Sequence, residues 1–336
     1  MTVRFAALGD SLTEGVGDPV PGGWRGWAAL LAPSLSPGPV DFRNLANSGA
    51  LSRDLLVSQL PTALALRPQY AAVLVGGNDT LRASFELDLT ARQFSAALSS
   101  LASSGTVPLT ACLPDPGRLL GLPAPLARPL ARRMRGVNAV IHALSEHHHA
   151  VHLHLADLPW TERRSLLSVD RLHPSAAGHQ LIARGFHTLL AESGHAVGPP
   201  PAELPTPVPV PGADLWWMAT RGTRWLAARS TDLLPGLLAL AAIEARHLLR
   251  GSSRRLDHAE ARTTAAIIAR LTTPGPSRPR PPRKPQRPAS ATHLPGPPAR
   301  HAPRSGHPGH RATGKVGRSV PLVALRASFD TFRNRE

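Results

Sequence analysis

A single cysteine, Cys112, among 336 residues excludes an internal disulfide framework and a zinc site built on cysteines. Aromatic residues are scarce as well, at 4 %. No stretch approaches the roughly 18 uninterrupted apolar residues that a spanning helix needs. No charged leader with an apolar region precedes Val3–Leu8, which makes the cytoplasm the expected location. Proline, by contrast, is abundant at 36 residues, and hydrophobic residues make up 42 %, enough for at least one core. Length alone allows about two domains of roughly 150 residues each.

The formal charge of +16 is unevenly spread. Residues 1–250 carry 21 basic and 18 acidic side chains, a net of +3, whereas residues 251–336 carry 17 and 4, a net of +13. The basic character therefore belongs to the C-terminal part and says nothing about the chemistry of the first 200 residues.

Short apolar runs alternate with helix-length segments up to about residue 195. Val3–Leu8, Val40–Leu45, Ala71–Val75, Thr106–Leu113 and Val151–Leu155 read as strands. Gly26–Leu31, Ser52–Leu60, Thr90–Ser104, Ala127–His147 and Ser175–Glu192 read as helices, the last with Ser175 as its N-cap. Such alternation predicts an α/β fold with a parallel sheet between helices, a geometry that places ligands beyond the carboxyl ends of the strands. The organisation expected is a folded domain over 1–195, a proline-rich linker over 196–213, a helical Trp- and Leu-rich extension over 214–271 with a break at Pro235 and Gly236, and a disordered Pro/Arg-rich tail over 272–336.

Three predicted strands end in residues with chemical potential. The first runs into Gly9-Asp10-Ser11-Leu12, a serine on a tight turn whose glycine permits close backbone approach. The second leads to Asn47-Ser48-Gly49-Ala50, where the Gly49 N–H could face the same spot, and the third to Gly76-Gly77-Asn78-Asp79, whose side-chain amide could donate to an oxyanion. Far downstream lies Asp170-Arg171-Leu172-His173. A serine hydroxyl needs a base, and an imidazole base needs a partner that fixes its tautomer; Asp170 and His173, three apart, can meet that need within one turn. Taken singly, each motif is also an ordinary cap, turn or surface pair.

Together, in this order, these blocks resemble those of the SGNH hydrolases, also called the GDSL esterase/lipase family, over residues 3–193. The resemblance implies a flavodoxin-like three-layer α/β/α sandwich with a five-stranded parallel sheet. It implies Ser11 as nucleophile, His173 as base and Asp170 as the acid that orients it, with the oxyanion held by the Ser11 and Gly49 backbone N–H groups and the Asn78 side chain. It also implies cofactor-free cleavage of carboxylic esters, from small molecules or lipids. Transfer of the acyl group to another alcohol would use the same residues, and a catalytically degenerate binding platform with a cationic tail is the alternative from another class. The Gly-x-Ser-x-Gly elbow of the rival α/β-hydrolase fold is absent.

The remaining features are expected to be structural. His147, His148, His149, His152 and His154 read as a polar helix end and strand without a nearby cysteine or carboxylate ligand, and Cys112 as a small buried hydrophobe. Arg132-Arg133-Met134-Arg135 reads as a solvated helix face. Pro114–Pro129 is either an acyl-facing loop or a plain connection. The Trp-bearing extension is expected to pack on the catalytic domain, the alternative being a lipid surface with Arg221, Arg224 and Arg229 toward headgroups. The basic tail either contacts anionic lipid or nucleic acid without sequence preference, in a salt-dependent manner, or is an unselective extension whose basic residues are nearly all Arg, with only Lys284 and Lys315 as lysines.

Overall fold

Phe5, Ala6, Ala7 and Leu8 are almost fully buried at the centre of β1 (Val3–Gly9), as expected of a strand covered on both faces. The computed structural model describes residues 2–158, 161, 163–195, 197–202 and 234–273. Beside β1 run β4 (Val40–Asn44), β5 (Tyr70–Leu74), β6 (Val107–Ala111) and β7 (Val151–Leu153), all parallel, in the order β4-β1-β5-β6-β7. That is the flavodoxin-like order, with the first strand second from one edge and the chain reversing its winding direction there. A two-stranded hairpin, β2 (Pro19–Val20) and β3 (Gly23–Trp24), stands apart from this sheet.

Two helices, α2 (Gly26–Leu31) and α9 (Ala176–Glu192), pack on each other through stacked Trp27 and Phe186 rings, 4.9 Å between centroids. The continuous helical run from Ser52 to Leu66, α6 (Leu87–Ser103) and α8 (Ala124–His147) form the other layer. The first of these comprises α3 (Ser52–Asp54), a π-helical turn (Leu55–Gln59) and α4 (Leu60–Leu66). Each expected strand is present: β1 runs one residue further, to Gly9, β5 is shifted back by one, and β4, β6 and β7 end earlier because their last residues already turn into the loops of the carboxyl edge. β7 stops at Leu153 where a 3₁₀ turn, Leu155–Asp157, begins. α8 starts at Ala124 rather than 127, since Pro125 falls in a first turn that has no hydrogen bond for it to break.

The C-terminal helices α10 (Leu234–Leu249) and α11 (Ser253–Thr272) lie on α8. Pro235 and Gly236 lie in the first turn of α10, where proline is tolerated. Two expectations are corrected here. Arg132 is not solvated: it is buried, its guanidinium donating to Glu244 of α10 at 3.0 Å and Asp257 of α11 at 2.7 Å. Arg133 donates to the Thr80 and Arg82 carbonyls and covers the Phe85 ring. The basic run is thus a set of anchors. Arg132 and Glu244 are both desolvated, and each has a further partner, Asp257 for the one and Arg128 for the other. The start of the linker is also tied down, Gly198 N–H donating to Ser34 O and His187 to Gly198 O. The Trp-bearing part of the extension up to residue 233 and the basic tail from 274 onward lie outside the described residues. Among the described residues, no helix is long and apolar enough to cross a membrane.

Candidate active site

The end of β1 is held with unusual thoroughness. Gly9 has φ +155°, and a Cβ there would stand 2.3 Å from Leu74 O, so no side chain fits. The buried Gln59, in the π-helical turn, brackets Gly9 with both ends of its amide, accepting from Gly9 N–H at 2.8 Å and donating to Gly9 O at 2.9 Å. Such turns recur at functional sites because they re-aim one side chain out of the regular ladder. Asp10 then caps α1 (Ser11–Glu14) by accepting from Leu12 N–H. Ser11 is therefore the first residue of a turn whose strand-side anchor cannot shift. Nothing in the local sequence marked Gln59 for this task.

His173 Nε2 lies 2.7 Å from Ser11 Oγ, and its Nδ1 lies 2.6 Å from Asp170 Oδ2. An ionised carboxylate can only accept, so Nδ1 carries the proton, Nε2 is the acceptor, and the Ser11 hydroxyl donates to it. The other Asp170 oxygen accepts from the backbone N–H groups of Leu172 and His173 at 2.9 and 3.0 Å. Burial pushes the Asp170 carboxyl up, but these bonds and the His173 ring outweigh it and hold the pKa below the ordinary value. The turn is sharp enough to place Arg171 at φ +58°.

The turn reaches Ser11 through His179, which sequence reading overlooked. This fully buried ring accepts from Trp27 N–H at 3.2 Å and donates to Val16 O at 3.0 Å, tying α9 to the segment that follows Ser11. Burial drops its pKa to about 4, so it remains neutral. Gly17 completes the joint: a Cβ there would stand 2.0 Å from Pro174 O.

Gly49 and Asn78 sit on the neighbouring strand ends. Gly49, at φ +81°, lines a polar cleft of about 440 Å³ together with Asn47, Ser48 and Ala50. Its loop is fastened to β1 by Asn47 N–H donating to Gly9 O and by a Ser48–Glu14 hydrogen bond. The Asn78 amide donates to Asp10 Oδ2 and Ala50 O, both at 3.2 Å, the long limit of ordinary bonds. Asp79 joins the two loops, accepting from Ser52 N–H and Oγ–H. Burial raises the Asp79 pKa and pushes Asp10 up to about 6, since few donors offset the loss of water around either carboxyl.

Beyond Asn78, the segment after β6 lines a cavity of about 220 Å³ with Leu113, Leu119, Met134 and Asn138. Leu113 adjoins Gly77: a Cβ on that glycine would stand 3.8 Å from Leu113 Cδ1. The histidine-rich expectation is corrected at the same edge. His152 and His154 do have a cysteine beside them, because the β6–β7 pairing brings up Cys112 and α8 lays His142 over the same face.

A model of the GDSL-like lipase/acylhydrolase family matches residues 7–181, just over half of the chain. Among curated proteins, none matches the sequence. Solved structures similar to this chain include an acetylxylan esterase from Geobacillus stearothermophilus, 20 % identical, with 56 % of this chain and 94 % of that one covered and a TM-score of 0.45. Another is an alpha/beta hydrolase enzyme from the metagenome of Lake Arreo, Spain, 24 % identical, with 57 % and 95 % covered and a TM-score of 0.43.

Proposed function

The chain belongs to the GDSL-like lipase/acylhydrolase family and is a carboxylic ester hydrolase; from that premise we propose that it cleaves short acyl esters through Ser11, His173 and Asp170, by way of an acyl-enzyme. The observation that carries this reading is the unbroken hydrogen-bonded line from Ser11 Oγ through His173 to Asp170. As Ser11 Oγ attacks the ester carbonyl, His173 Nε2 takes the hydroxyl proton, and the imidazolium so formed is stabilised by Asp170. The tetrahedral oxyanion is received by the Ser11 and Gly49 backbone N–H groups and the Asn78 amide. Asn78 is available because its present bonds are long, and such contacts tighten only in the complex with substrate. His173 then protonates the departing alcohol, and water repeats the sequence on the acyl group with His173 again as base.

The cavity beside Leu113 receives the acyl group. Its small volume favours short acyl chains, which Leu113, Leu119 and Met134 would contact beside the charged Asp115, Arg118, Arg135 and Asp157. With the full chain and a series of p-nitrophenyl esters, turnover should be greatest for short acyl groups. Rapid mixing should show a burst of p-nitrophenol equal to the enzyme concentration if deacylation is slower than acylation. Ser11→Ala should lower turnover about 10⁴–10⁶-fold, the loss seen when one member of such a unit is removed. Full hydrolysis by that variant would overturn the assignment.

A further inference from the structure

At the far edge of the sheet the thiol of Cys112 and one ring nitrogen each from His142, His152 and His154 all lie within 4.8 Å of one another. We propose that these four side chains bind a divalent transition metal of borderline softness, zinc foremost, in a site separate from the ester-cleaving one.

The strand register builds the set. Thr110 pairs with His152 and Ala111 with Leu153, so one step further Cys112 stands beside His154, on the face that Thr110 and His152 share. The Cys112 N–H bond to Leu153 O at 3.2 Å continues that register. His142 comes from α8, and the three imidazoles meet edge to face, with centroids 4.6, 5.0 and 5.1 Å apart.

A hydrogen-bond chain decides what His152 offers. The Ser145 hydroxyl has a single hydrogen and donates it to Ile141 O at 2.6 Å, a partner that can only accept. The Thr110 hydroxyl, 2.7 Å away, must therefore donate to Ser145, which leaves it able only to accept from His152 Nδ1 at 3.0 Å. Nδ1 carries the proton and Nε2 a lone pair, and that Nε2 is buried with no hydrogen-bond partner. A buried acceptor without a donor is costly. A ring held by one nitrogen while the other is free is also the arrangement by which proteins orient metal-binding histidines.

Cys112 is buried, its Sγ 3.9 Å from Leu153 O. Ligand bonds of about 2.0–2.1 Å to nitrogen and 2.3 Å to sulfur put two donors of a tetrahedral ion about 3.3–3.6 Å apart, so side-chain movements of about 1 Å close the set. One thiolate and three imidazoles suit tetrahedral zinc and disfavour calcium and magnesium, which take oxygen. His142 and His154 are exposed, leaving an open side for the ion.

The test uses the whole chain, stripped with a chelator and titrated with Co²⁺ and Zn²⁺. One equivalent of Co²⁺ should give tetrahedral d–d bands together with a thiolate-to-cobalt charge-transfer band, and Zn²⁺ should displace it. Cys112 is the only cysteine, so that band reports this site and no other. Cys112→Ser should abolish it, and His142→Ala, at an exposed position, should weaken Zn²⁺ binding without unfolding the chain. Thr110→Val, which keeps all four donors but frees the His152 ring, should weaken it about 10–100-fold. Cobalt spectra without the charge-transfer band, or Zn²⁺ affinity unaltered in both His142→Ala and Thr110→Val, would overturn the proposal.

Discussion

Two histidines at opposite ends of one sheet edge have opposite fates. His173 has both ring nitrogens engaged, one by Asp170 and one by Ser11, whereas His152 has Nδ1 held by Thr110 and Nε2 unpartnered. The first belongs to a closed hydrogen-bonded line, and the second to a line that ends in an open acceptor. The residue type is the same in both places. What differs is whether the atom opposite the second nitrogen can give a proton, and that distinguishes a base from a ligand.

The sharpest way to break this contrast acts on the closed line. Asn78→Ala removes one side-chain donor for the oxyanion and should cut ester turnover about 10²–10³-fold, worth roughly 3–4 kcal/mol, while thermal melting shows an intact fold. Turnover equal to wild type would mean that the Asn78 amide serves only Asp10 and Ala50.

A third histidine, His179, sharpens the comparison, because its ring is closed on both sides by backbone and serves structure. With a folded pKa of about 4 against 6.5 unfolded, the native ring stays neutral while the unfolded chain takes up a proton. Its contribution is therefore complete above pH 6.5 and is lost as pH falls toward 4, amounting to about 3 kcal/mol over that window. Asp10, raised to about 6 from 3.8, acts in the opposite sense between those values, so wild type alone mixes the two. In urea unfolding at pH 7 and pH 4.5, His179→Gln should show a smaller drop in stability on acidification than wild type. Equal drops would remove His179 from the account.

The smallest effect is expected at Gln59. Gln59→Leu leaves Gly9 N–H unpartnered, while Gly9 O keeps its bond from Asn47. Stability should fall by about 2 kcal/mol. As a positioning residue, Gln59 should affect kcat more than KM, since a displaced Ser11 impairs attack more than binding. A variant that loses stability with kcat and KM both unaltered would make its role purely structural.

Much of the frame was legible in the sequence because it rests on local patterning. The five apolar runs are the five strands, and Ser175 caps α9 as its hydroxyl and position suggested. The Asp170–His173 turn is equally local, since three residues suffice to bring carboxylate and ring together. Elsewhere local reading misled. The run Arg132-Arg133-Met134-Arg135 looks like a solvated face until α10 and α11, more than a hundred positions later, supply Glu244 and Asp257. Cys112 and His142 looked unrelated to His152 because only sheet register and helix packing place them together. Gln59 and His179 carry no local signal at all, since what they bond is backbone from other segments.

By itself, then, the sequence determined the elements, their caps and the chemistry available at each strand end, because contacts across three or four positions follow from backbone geometry alone. The tertiary structure decided which of those groups meet. Ser11 and His173 stand 162 positions apart, and their approach depends on burying Trp27, Phe186 and His179 between two helices. Burial and register are summed over the whole chain, so no single segment encodes where they bring two side chains together.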